Sequence, residues 1–333
     1  MTESGKGTQT RATRDSSSTM PLSDSSLSKD QAHSRRVVAL QSESFQERLF
    51  PWWESNARDL PWRFGRATPW GILVSEVMSQ QTQMSRVAPY WTTWMNIWPD
   101  ARALAKASTA EVITAWGHLG YPRRALRLQE CARVVAEQYN NRLPQRYEEL
   151  IALPGVGDYT ASAVLSFAFN ARIAVIDTNI RRVLSRAALG VESLGGAATV
   201  AERNLANDLL PHDSKESNIW NQATMELGAT VCTAKNPQCE TCPLCEKCNF
   251  VAAGKPGLAE GRTRPRQHFK GTNRQVRGLI LHALRSKTDA EPLRYRELVK
   301  LWPKSAQLDE CLMSLDDDGL IELLPDKAIR FPK

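Results

Sequence analysis

Two carboxylates in the sequence are placed where they could act as an acid and a counter-charge in one reaction. The first, Glu76, lies in "GILVSEVMSQQTQ" (71–83), a segment rich in Ile, Leu, Val and Met that carries no Lys or Arg. On a helix with about 100° per residue, Glu76 shares one arc with hydroxyl and amide side chains, those of Ser75, Ser79, Gln80 and Gln83. This arc is typical of the wall of a polar cleft, and an ordinary exposed glutamate is the alternative.

The second carboxylate, Asp177, lies in "IAVIDTNIRRVLSR" (173–186), where an apolar run ends and a helix is predicted to begin. Aspartate is a preferred N-cap residue, so a purely structural role is one interpretation. A helix N-terminus should lower the pKa of Asp177, whereas apolar neighbours should raise the pKa of Glu76. Cleavage of a glycosidic bond requires such a pair, since the acid protonates the leaving group and the anion stabilises the oxocarbenium ion.

A cluster of cysteines is the most specific pattern in the chain. Four of them have the spacing C-x6-C-x2-C-x5-C, at Cys232, Cys239, Cys242 and Cys248. Four thiolates in this arrangement can hold one tetrahedral metal ion or a cubane cluster, and the spacing alone does not separate zinc from iron–sulfur. Cys245 adds a fifth thiol and an alternative register.

The segment "LPGVG" (153–157) joins two predicted helices. Gly155 and Gly157 would let the backbone approach a ligand closely, and the free N–H groups that begin the next helix favour an anion. The alternative is a simple turn in which a glycine ends the first helix. The sequence therefore allows a phosphate-binding hairpin at this point without requiring one.

The composition favours a polyanionic partner. The 333 residues suffice for two or more domains, and the formal net charge is +7. No apolar run is long enough to predict a membrane span, and the N-terminus lacks the apolar core of a signal peptide. We therefore expect a cytoplasmic, intracellular protein whose seven cysteines stay reduced or bind metal.

The patterning divides the chain into segments of different character. Residues 1–40, rich in Ser, Thr and mixed charges, predict a disordered tail, and helical periodicity continues from there to about residue 250. Gly, Pro and basic residues in 251–272 predict a linker. The remaining segment, 273–333, predicts a winged-helix-like module with three helices, a stop at Gly319 and a hairpin.

The third predicted helix of this module, "SAQLDECLMSLDDD" (305–318), carries five acidic residues and no Lys or Arg. Such a helix is poorly suited to face phosphates. We expect the module to contact a protein partner, or to have no binding role, rather than to read bases.

Several of these motifs occur together in the order of one known family. The hairpin "LPGVG", the helix start at Asp177 and the four-cysteine spacing resemble the helix-hairpin-helix DNA glycosylases of the endonuclease III superfamily. The segments "SEVMSQQTQ" (75–83), "LPWR" (60–63) and "LGYPRRALRL" (119–128) are similar to its adenine glycosylase branch, MutY. The resemblance covers roughly residues 45–250.

The resemblance implies an all-α fold in which duplex DNA lies in a cleft between two lobes with the target base flipped out. One lobe would be a six-helix barrel that carries the helix-hairpin-helix (68–170). The other would be an iron–sulfur cluster domain (41–67 and 171–250), with a [4Fe–4S] cluster on the four cysteines. The implied protein is a monomer that binds double-stranded DNA with a mispaired adenine.

The resemblance also implies roles for individual residues. Glu76 would protonate N7 of adenine, and Asp177 would stabilise or briefly capture the deoxyribose cation. Tyr159 stands where endonuclease III-type lyases carry a lysine, so base removal without an efficient coupled strand cut is expected. Further positions match the adenine pocket at Leu60, Trp62 and Arg63, an active-site amide at Asn179, residues that probe the base stack at Gln80, Gln81 and Tyr121, and the phosphate-binding hairpin at Gly155 and Gly157.

The implied function is excision of adenine mispaired with 8-oxoguanine or guanine in base excision repair. The preference between the two is open, because many adenine glycosylases end in a Nudix-like domain that reads 8-oxoguanine and residues 272–333 do not resemble it. The alternatives are an endonuclease III-like pyrimidine glycosylase, a thymine mismatch glycosylase and a non-catalytic binder of damaged DNA. Tyr159 argues against the first, Glu76 against the first two, and the presence of both carboxylates against the third.

Overall fold

A computed structural model of the chain describes residues 29–193, 196–258, 260, 269–287 and 291–332. Its helices, in chain order, are α1 (Lys29–Asn56), α2 (Pro69–Ser79), α3 (Met84–Ile97), α4 (Ala101–Lys106), α5 (Thr109–Trp116), α6 (Arg123–Gln138), α7 (Tyr147–Ile151), α8 (Asp158–Phe169), α9 (Thr178–Leu189), α10 (Val200–Asp208), α11 (Ser214–Thr230), α12 (Asn249–Ala252), α13 (Asn273–Arg285), α14 (Tyr295–Leu301) and α15 (Ser305–Asp317). Two short antiparallel strands follow, β1 (Glu322–Leu323) and β2 (Ile329–Arg330). The regular secondary structure of the described residues is thus mostly helical, as predicted. None of its helices is both long and apolar enough to cross a membrane.

The N-terminal boundary differs from the prediction. Helix α1 begins at Lys29, whereas the predicted tail reaches residue 40. Residues 29–50 contain no Pro or Gly to interrupt a helix, so the helix can extend beyond the predicted boundary. The rest of the predicted tail, residues 1–28, lies outside the described residues.

The first of the hydrophobic cores is built around tryptophans from α3 and α5. The ring of Trp94 lies edge-on to those of Trp98 and Trp116, with ring centroids 4.6 Å and 5.6 Å away. Such aromatic pairs contribute about 0.5–1.5 kcal/mol beyond the burial of their area. Side chains from α2, α4, α6 and α8 complete this core, which lies mainly within the predicted barrel segment 68–170. The bounds of that domain remain a prediction.

A second core joins the N-terminal helix to helices much later in the chain. Phe45 and Leu49 of α1 pack with Val183 of α9 and with Trp220 and Leu227 of α11, all of them buried. Partly buried cysteines of the segment 232–248 contact the same core. The chain therefore leaves the second core after α1, forms the first core, and returns to the second core with α9.

The apolar run "RIAVID" (172–177) connects the two cores without forming a sheet. The side chain of Asn221 in α11 makes hydrogen bonds to the backbone of this run, in the place that a neighbouring strand would occupy in a sheet. The Oδ1 atom of Asn221 accepts a hydrogen bond from the N–H of Val175 at 3.2 Å, and its Nδ2 donates to the carbonyl of Ile173 at 2.9 Å. These bonds fix the path of the chain immediately before Asp177.

The C-terminal module has the predicted order of three helices and a hairpin. Gly319 ends α15 in the left-handed conformation, with φ at 68°, which glycine adopts without steric cost. The core of the module includes Val276 and Ile280 of α13 and Leu312 of α15. A barrel residue from α5, Ile113, belongs to this same core, so the module is docked on the barrel.

The close approach of α11 to the start of α9 generates a prediction about stability. A Cβ atom built on Gly228 would lie 2.7 Å from the Cβ of Asn179 and 2.9 Å from its carbonyl oxygen. We expect Gly228→Ala to lower the free energy of unfolding by about 1–3 kcal/mol, because the two helices must move apart. Urea unfolding of the two proteins would measure the difference.

The control for this change is Gly278→Ala in α13, where a Cβ would meet nothing within 4 Å. There alanine should stabilise the helix by up to about 1 kcal/mol. Equal effects at the two positions would contradict the role of Gly228 in helix packing.

Candidate active site

A cleft of about 1190 Å³ is lined by residues from both larger cores. Glu76 reaches it from α2, Tyr159 from the first turn of α8, and Asp177 from the residue before α9. A cavity of this size can enclose a small molecule or a nucleotide-sized group. The structure thus brings together the two carboxylates and the tyrosine that the sequence singled out.

Helix α2 holds Glu76 at a buried position. The side chain of Thr68 caps the helix by accepting from the N–H of Gly71, and Pro69 occupies its first turn. Every residue from Trp70 to Met78 is buried, and Glu76 itself is only 9% exposed. The carboxyl therefore meets the cleft from within an apolar helix.

Burial decides the protonation of Glu76. The pKa of its carboxyl is raised to about 7, chiefly by desolvation and to a smaller extent by the nearby charge of Asp177. Tyr159 Oη donates a hydrogen bond to Oε2 of Glu76 at 2.7 Å, which together with Arg63 lowers the pKa by a smaller amount. The predicted upward shift of the Glu76 pKa is thus present, and near neutral pH a large fraction of this carboxyl keeps its proton.

Asp177 is both a helix cap and part of the cleft wall. Its Oδ1 accepts from the N–H of Ile180 at 2.6 Å, and its Oδ2 accepts from Nδ2 of Asn179 at 2.8 Å. The structure overturns the expected lowering of its pKa. Burial raises the pKa of Asp177 by more than these hydrogen bonds and the charge of Arg182 lower it. The two carboxyls therefore both sit in a desolvated environment.

Glu226 is a buried acid that sequence reasoning missed, and it pairs with Arg58 and Arg63 in the wall of the cleft. Glu226 of α11 is fully buried and accepts hydrogen bonds from Arg63 at 2.7 Å and from Nε of Arg58 at 2.6 Å. All three residues line the cleft. The segment "ATMELGA" (223–229) contained a signal of the same kind as that around Glu76, namely a single acid among small and apolar residues.

The other two residues expected in the adenine pocket are placed differently. Leu60 is buried and lines the cleft. Trp62 packs in the barrel core instead, with its ring centroid 5.6 Å from that of Trp91. Trp62 thus belongs to the barrel core and is not among the residues that line the cleft.

The expected base-stack probes lie on two loops in strained backbone conformations. Gln80 and Gln81 follow α2 and line the cleft, and Tyr121 precedes α6 with 46% of its side chain exposed. Gln81 and Tyr121 have φ values of 54° and 47°, a region that residues with a Cβ rarely adopt. Such strain is common at functional sites, where the surrounding structure holds it in place.

One arginine that sequence reasoning did not single out holds these two loops together. The guanidinium of Arg124 donates to the backbone carbonyl of Gln80 at 2.6 Å and to that of Gly120 at 3.2 Å. It also donates to the hydroxyl of Thr82 and to the carbonyl of Val77 at the end of α2. Burial lowers the pKa of Arg124 to about 10. The pattern "YPRRALRL" (121–128) gave no signal to separate this arginine from its neighbours.

The hairpin glycines occupy the turn between α7 and α8. Gly155 has φ at 77°, and a Cβ on it would lie 3.0 Å from the Cβ of Arg127 in α6. Gly157 is the N-cap residue of α8. Glycine at position 155 is therefore required both by backbone conformation and by space.

The clustered cysteines line one small cavity beside the second core. Cys232, Cys239, Cys242, Cys245 and Cys248 all face it, together with Arg186 and Phe250. The guanidinium of Arg186 lies 3.4 Å from Sγ of Cys232 as a donor, an arrangement that would offset negative charge on thiolates. In the described ranges of the chain, no three metal-binding side chains are close enough to hold a single metal ion.

Known proteins with similar sequences and structures define the class of this fold and site. The family model of the HhH-GPD superfamily of base excision DNA repair proteins matches residues 74–194. A thermostable thymine-DNA glycosylase of known structure is 28% identical, with a TM-score of 0.57, over 64% of this chain and 98% of that one. Endonuclease III in a non-covalent DNA complex has the same fold, at 23% identity and a TM-score of 0.52 over 68% of this chain and 98% of its own.

The chain therefore has the fold of the helix-hairpin-helix DNA glycosylases, and the predicted fold class is confirmed. The adenine DNA glycosylase of Mycolicibacterium smegmatis is 46% identical to it over 279 residues, which cover 84% of this chain and 92% of the relative. Within the class, the chain belongs to the adenine DNA glycosylases, as the sequence motifs indicated.

The raised pKa of Glu76 predicts a pH-dependent cost in stability. An unfolded glutamate ionises near 4.5, and Glu76 in the folded protein ionises near 7. The fold therefore favours the protonated form, and the stability that Glu76 contributes is lost as pH rises through this window. Between pH 5.5 and 8 the loss should be about 2 kcal/mol, at about 1.4 kcal/mol per pKa unit.

Glu76→Gln removes this titration. From pH 5.5 to pH 8, the free energy of unfolding of the variant should therefore rise by about 2 kcal/mol relative to that of the unmodified protein. Urea unfolding at both pH values would measure the gain. Exposed Glu137 provides the control, because Glu137→Gln should leave the difference between the two pH values unchanged. A constant offset for Glu76→Gln at both pH values would refute the raised pKa.

Proposed function

We propose that the chain is a monofunctional glycosylase that removes adenine mispaired with 8-oxoguanine or guanine in double-stranded DNA. The observation that carries this proposal is the meeting of a buried, largely protonated Glu76 and of Asp177 on one cleft, with Tyr159 hydrogen-bonded to Glu76. Leaving-group protonation and cation stabilisation are the two tasks of N-glycosidic bond cleavage, and each carboxyl can perform one of them.

The chemistry begins with a proton transfer from Glu76 to N7 of the flipped adenine. Tyr159 donates to Oε2 of Glu76, which leaves Oε1 as the oxygen that carries the transferred proton. The bond between the base and C1′ then breaks, and its electron pair leaves with the neutralised adenine. The acid form of Glu76 predominates below about pH 7, so the rate should fall above that pH.

Asp177 is proposed to stabilise the cation that remains on the deoxyribose. Its carboxylate is oriented by the N–H of Ile180 and the amide of Asn179, and Asn179 in turn accepts from Arg182 at 2.8 Å. This chain of hydrogen bonds fixes both oxygens before the substrate binds. Addition of water at C1′ then gives the abasic product and returns a proton to the site.

A coupled strand cut is not expected from this site. A lyase step needs an amine that forms a Schiff base with C1′. Position 159 offers instead a phenol, whose pKa burial and the neighbouring carboxyls raise well above its ordinary value. Tyr159 therefore serves as a hydrogen-bond donor to Glu76.

The DNA-binding surface is proposed to include the two strained loops and the hairpin. Gln80, Gln81 and Tyr121 would probe the base stack, and the turn at Gly155 and Gly157 would hold a phosphate. Such a substrate implies an intracellular site of action on DNA, and the enzyme is proposed to act as a monomer. We also infer that segments 41–67 and 171–250 form one domain around the cysteines.

A second candidate is a thymine mismatch glycosylase, because a thymine-DNA glycosylase is among the similar structures. Tyr159 and Asp177 fit that activity equally well. The buried acid at Glu76 favours adenine, since N7 is a site on the leaving base that accepts a proton.

Adenine excision can be tested with two labelled duplexes, one with adenine opposite 8-oxoguanine and one with adenine opposite guanine. We expect breaks at the adenine only after hot alkali, because the abasic product forms without a strand cut. Glu76→Gln should lower the single-turnover rate by roughly 10²- to 10⁴-fold through loss of the acid, and Glu137→Gln should not change it.

Other outcomes would point elsewhere. Breaks without alkali would reveal a lyase step and refute the proposed role of Tyr159. Excision only from a duplex with thymine opposite guanine would favour the second candidate. Tight duplex binding with no excision would leave a non-catalytic binder as the function.

The cysteine cavity is proposed to hold a [4Fe–4S] cluster through Cys232, Cys239, Cys242 and Cys248. The support is a set of thiols that face one cavity beside the second core, with the cation of Arg186 at hand. Four cysteine thiolates are the ligand set of such clusters. The cluster would link α9 to the C-terminal end of the second core and would take no part in the bond cleavage.

Two cysteine variants would test the ligand set. Cys242→Ser should lose most of the iron and the visible absorption of the purified protein, because a ligand is removed. Cys245→Ser should retain both, because the fifth thiol lies outside the proposed register. The opposite pattern would mean that Cys245 is a ligand, and zinc in place of iron in both proteins would refute the cluster.

A further inference from the structure

The C-terminal module is held on the barrel in a defined orientation. Ile113 of α5 is buried in the core of the module. Nε of Arg285, at the end of α13, donates to the carbonyl of Ile113 at 3.2 Å. Arg123 at the start of α6 pairs with Asp318 at the end of α15, at 3.3 Å. These contacts fix α13 relative to the loop that precedes α6.

This docking places a cation of the module on the ring of Tyr121. Arg274 lies in the first turn of α13, and its guanidinium carbon is 5.1 Å from the centroid of the Tyr121 ring. The guanidinium of Arg124, from the barrel, lies 5.6 Å from the same centroid. Both distances are within the range of a cation–π contact. Phe269, largely exposed, lies 6.0 Å from the guanidinium of Arg274.

Tyr121 needs such support because its position is costly. Its φ of 47° is unfavourable for a residue with a Cβ, and 46% of its side chain is exposed. Arg124 fixes the backbone on either side by its bonds to Gly120 and Gln80. The ring itself is held by the two guanidiniums that lie against it.

We propose that Arg274 is a positioning residue through which the C-terminal module holds Tyr121 ready to enter the base stack of the duplex. The proposal rests on the proposed function, in which Tyr121 probes the DNA. A ring that is already oriented loses less side-chain entropy on binding, so the gain should appear in the affinity for the duplex. The chemistry at Glu76 and Asp177 should be unaffected.

The charge distribution of the module agrees with this placement. Several acids of α15 and of its end are paired with cations of the same module, as Asp309 is with Lys327 at 2.9 Å and Asp318 with Arg277 at 2.5 Å. The side that reaches Tyr121 presents Arg274, and Lys270, which precedes the module in the chain, is exposed. A cationic edge is the one that a DNA backbone would approach.

The test is single-turnover excision from the duplex with adenine opposite 8-oxoguanine, measured over a range of enzyme concentrations. Arg274→Ala should raise the half-saturating concentration roughly threefold to tenfold and leave the limiting rate within about twofold. Arg274→Lys should have a half-saturating concentration between those of the unmodified protein and of Arg274→Ala, because lysine keeps the charge but not the planar group. The control is Arg296→Ala, which removes an exposed arginine of α14 and should change neither value.

A double-mutant cycle with Tyr121→Ala decides whether Arg274 acts through this ring. We expect the doubly substituted protein to match Tyr121→Ala alone, since the effect of Arg274 requires the ring. Additive effects of the two substitutions, or no effect of Arg274→Ala, would overturn the proposal. If the unmodified protein excises no adenine, the proposed function fails, and the same cycle measured by equilibrium binding to that duplex still tests Arg274.

Discussion

Burial of one carboxyl is the constraint on which the rest of the site depends. Glu76 must be shielded from water to keep a proton near neutral pH, yet it must also face a cleft that admits a substrate. Helix α2 meets both demands because residues from Trp70 to Met78 are all buried, while the carboxyl end of the side chain reaches the cavity. Tyr159 supplies the hydrogen bond that a buried carboxyl needs, without supplying a charge.

The second carboxyl is held by different means, and the difference suits the task that we propose for it. Asp177 is bound by a backbone N–H and by the amide of Asn179, and Arg182 orients that amide. Helix α11 approaches closely at Gly228 and packs there against Asn179. Rigidity here comes from helix ends and close packing, so in the proposed reaction the anion would be in place before positive charge develops, as electrostatic preorganisation requires.

Much of the fold and of the candidate site could be predicted from local sequence. The predictions that were wrong or incomplete have a common physical origin, which is dependence on contacts between distant parts of the chain. The arc around Glu76, the stop at Gly319 and the three helices of the C-terminal module depend on neighbours within a few residues. Glu226 carried a local signal, but its ion pair could not be predicted because its partner Arg58 is 168 positions away. The pKa of Asp177 was predicted from its helix alone, and the burial that reverses it comes from the packing of α9 into the fold.

The residues proposed for chemistry and those proposed for recognition are held by different kinds of support. The carboxyls lie on or next to helices whose packing fixes them, whereas Gln81 and Tyr121 lie on loops in left-handed conformations. Arg124 compensates by donating to carbonyls of both loops, so that one partly buried cation replaces the backbone pairing that a sheet would provide. Because its acceptors are carbonyls and a hydroxyl, Arg124 keeps its positive charge beside the surface that the DNA backbone would approach. The same side chain can therefore order the loops and favour the binding of a polyanion.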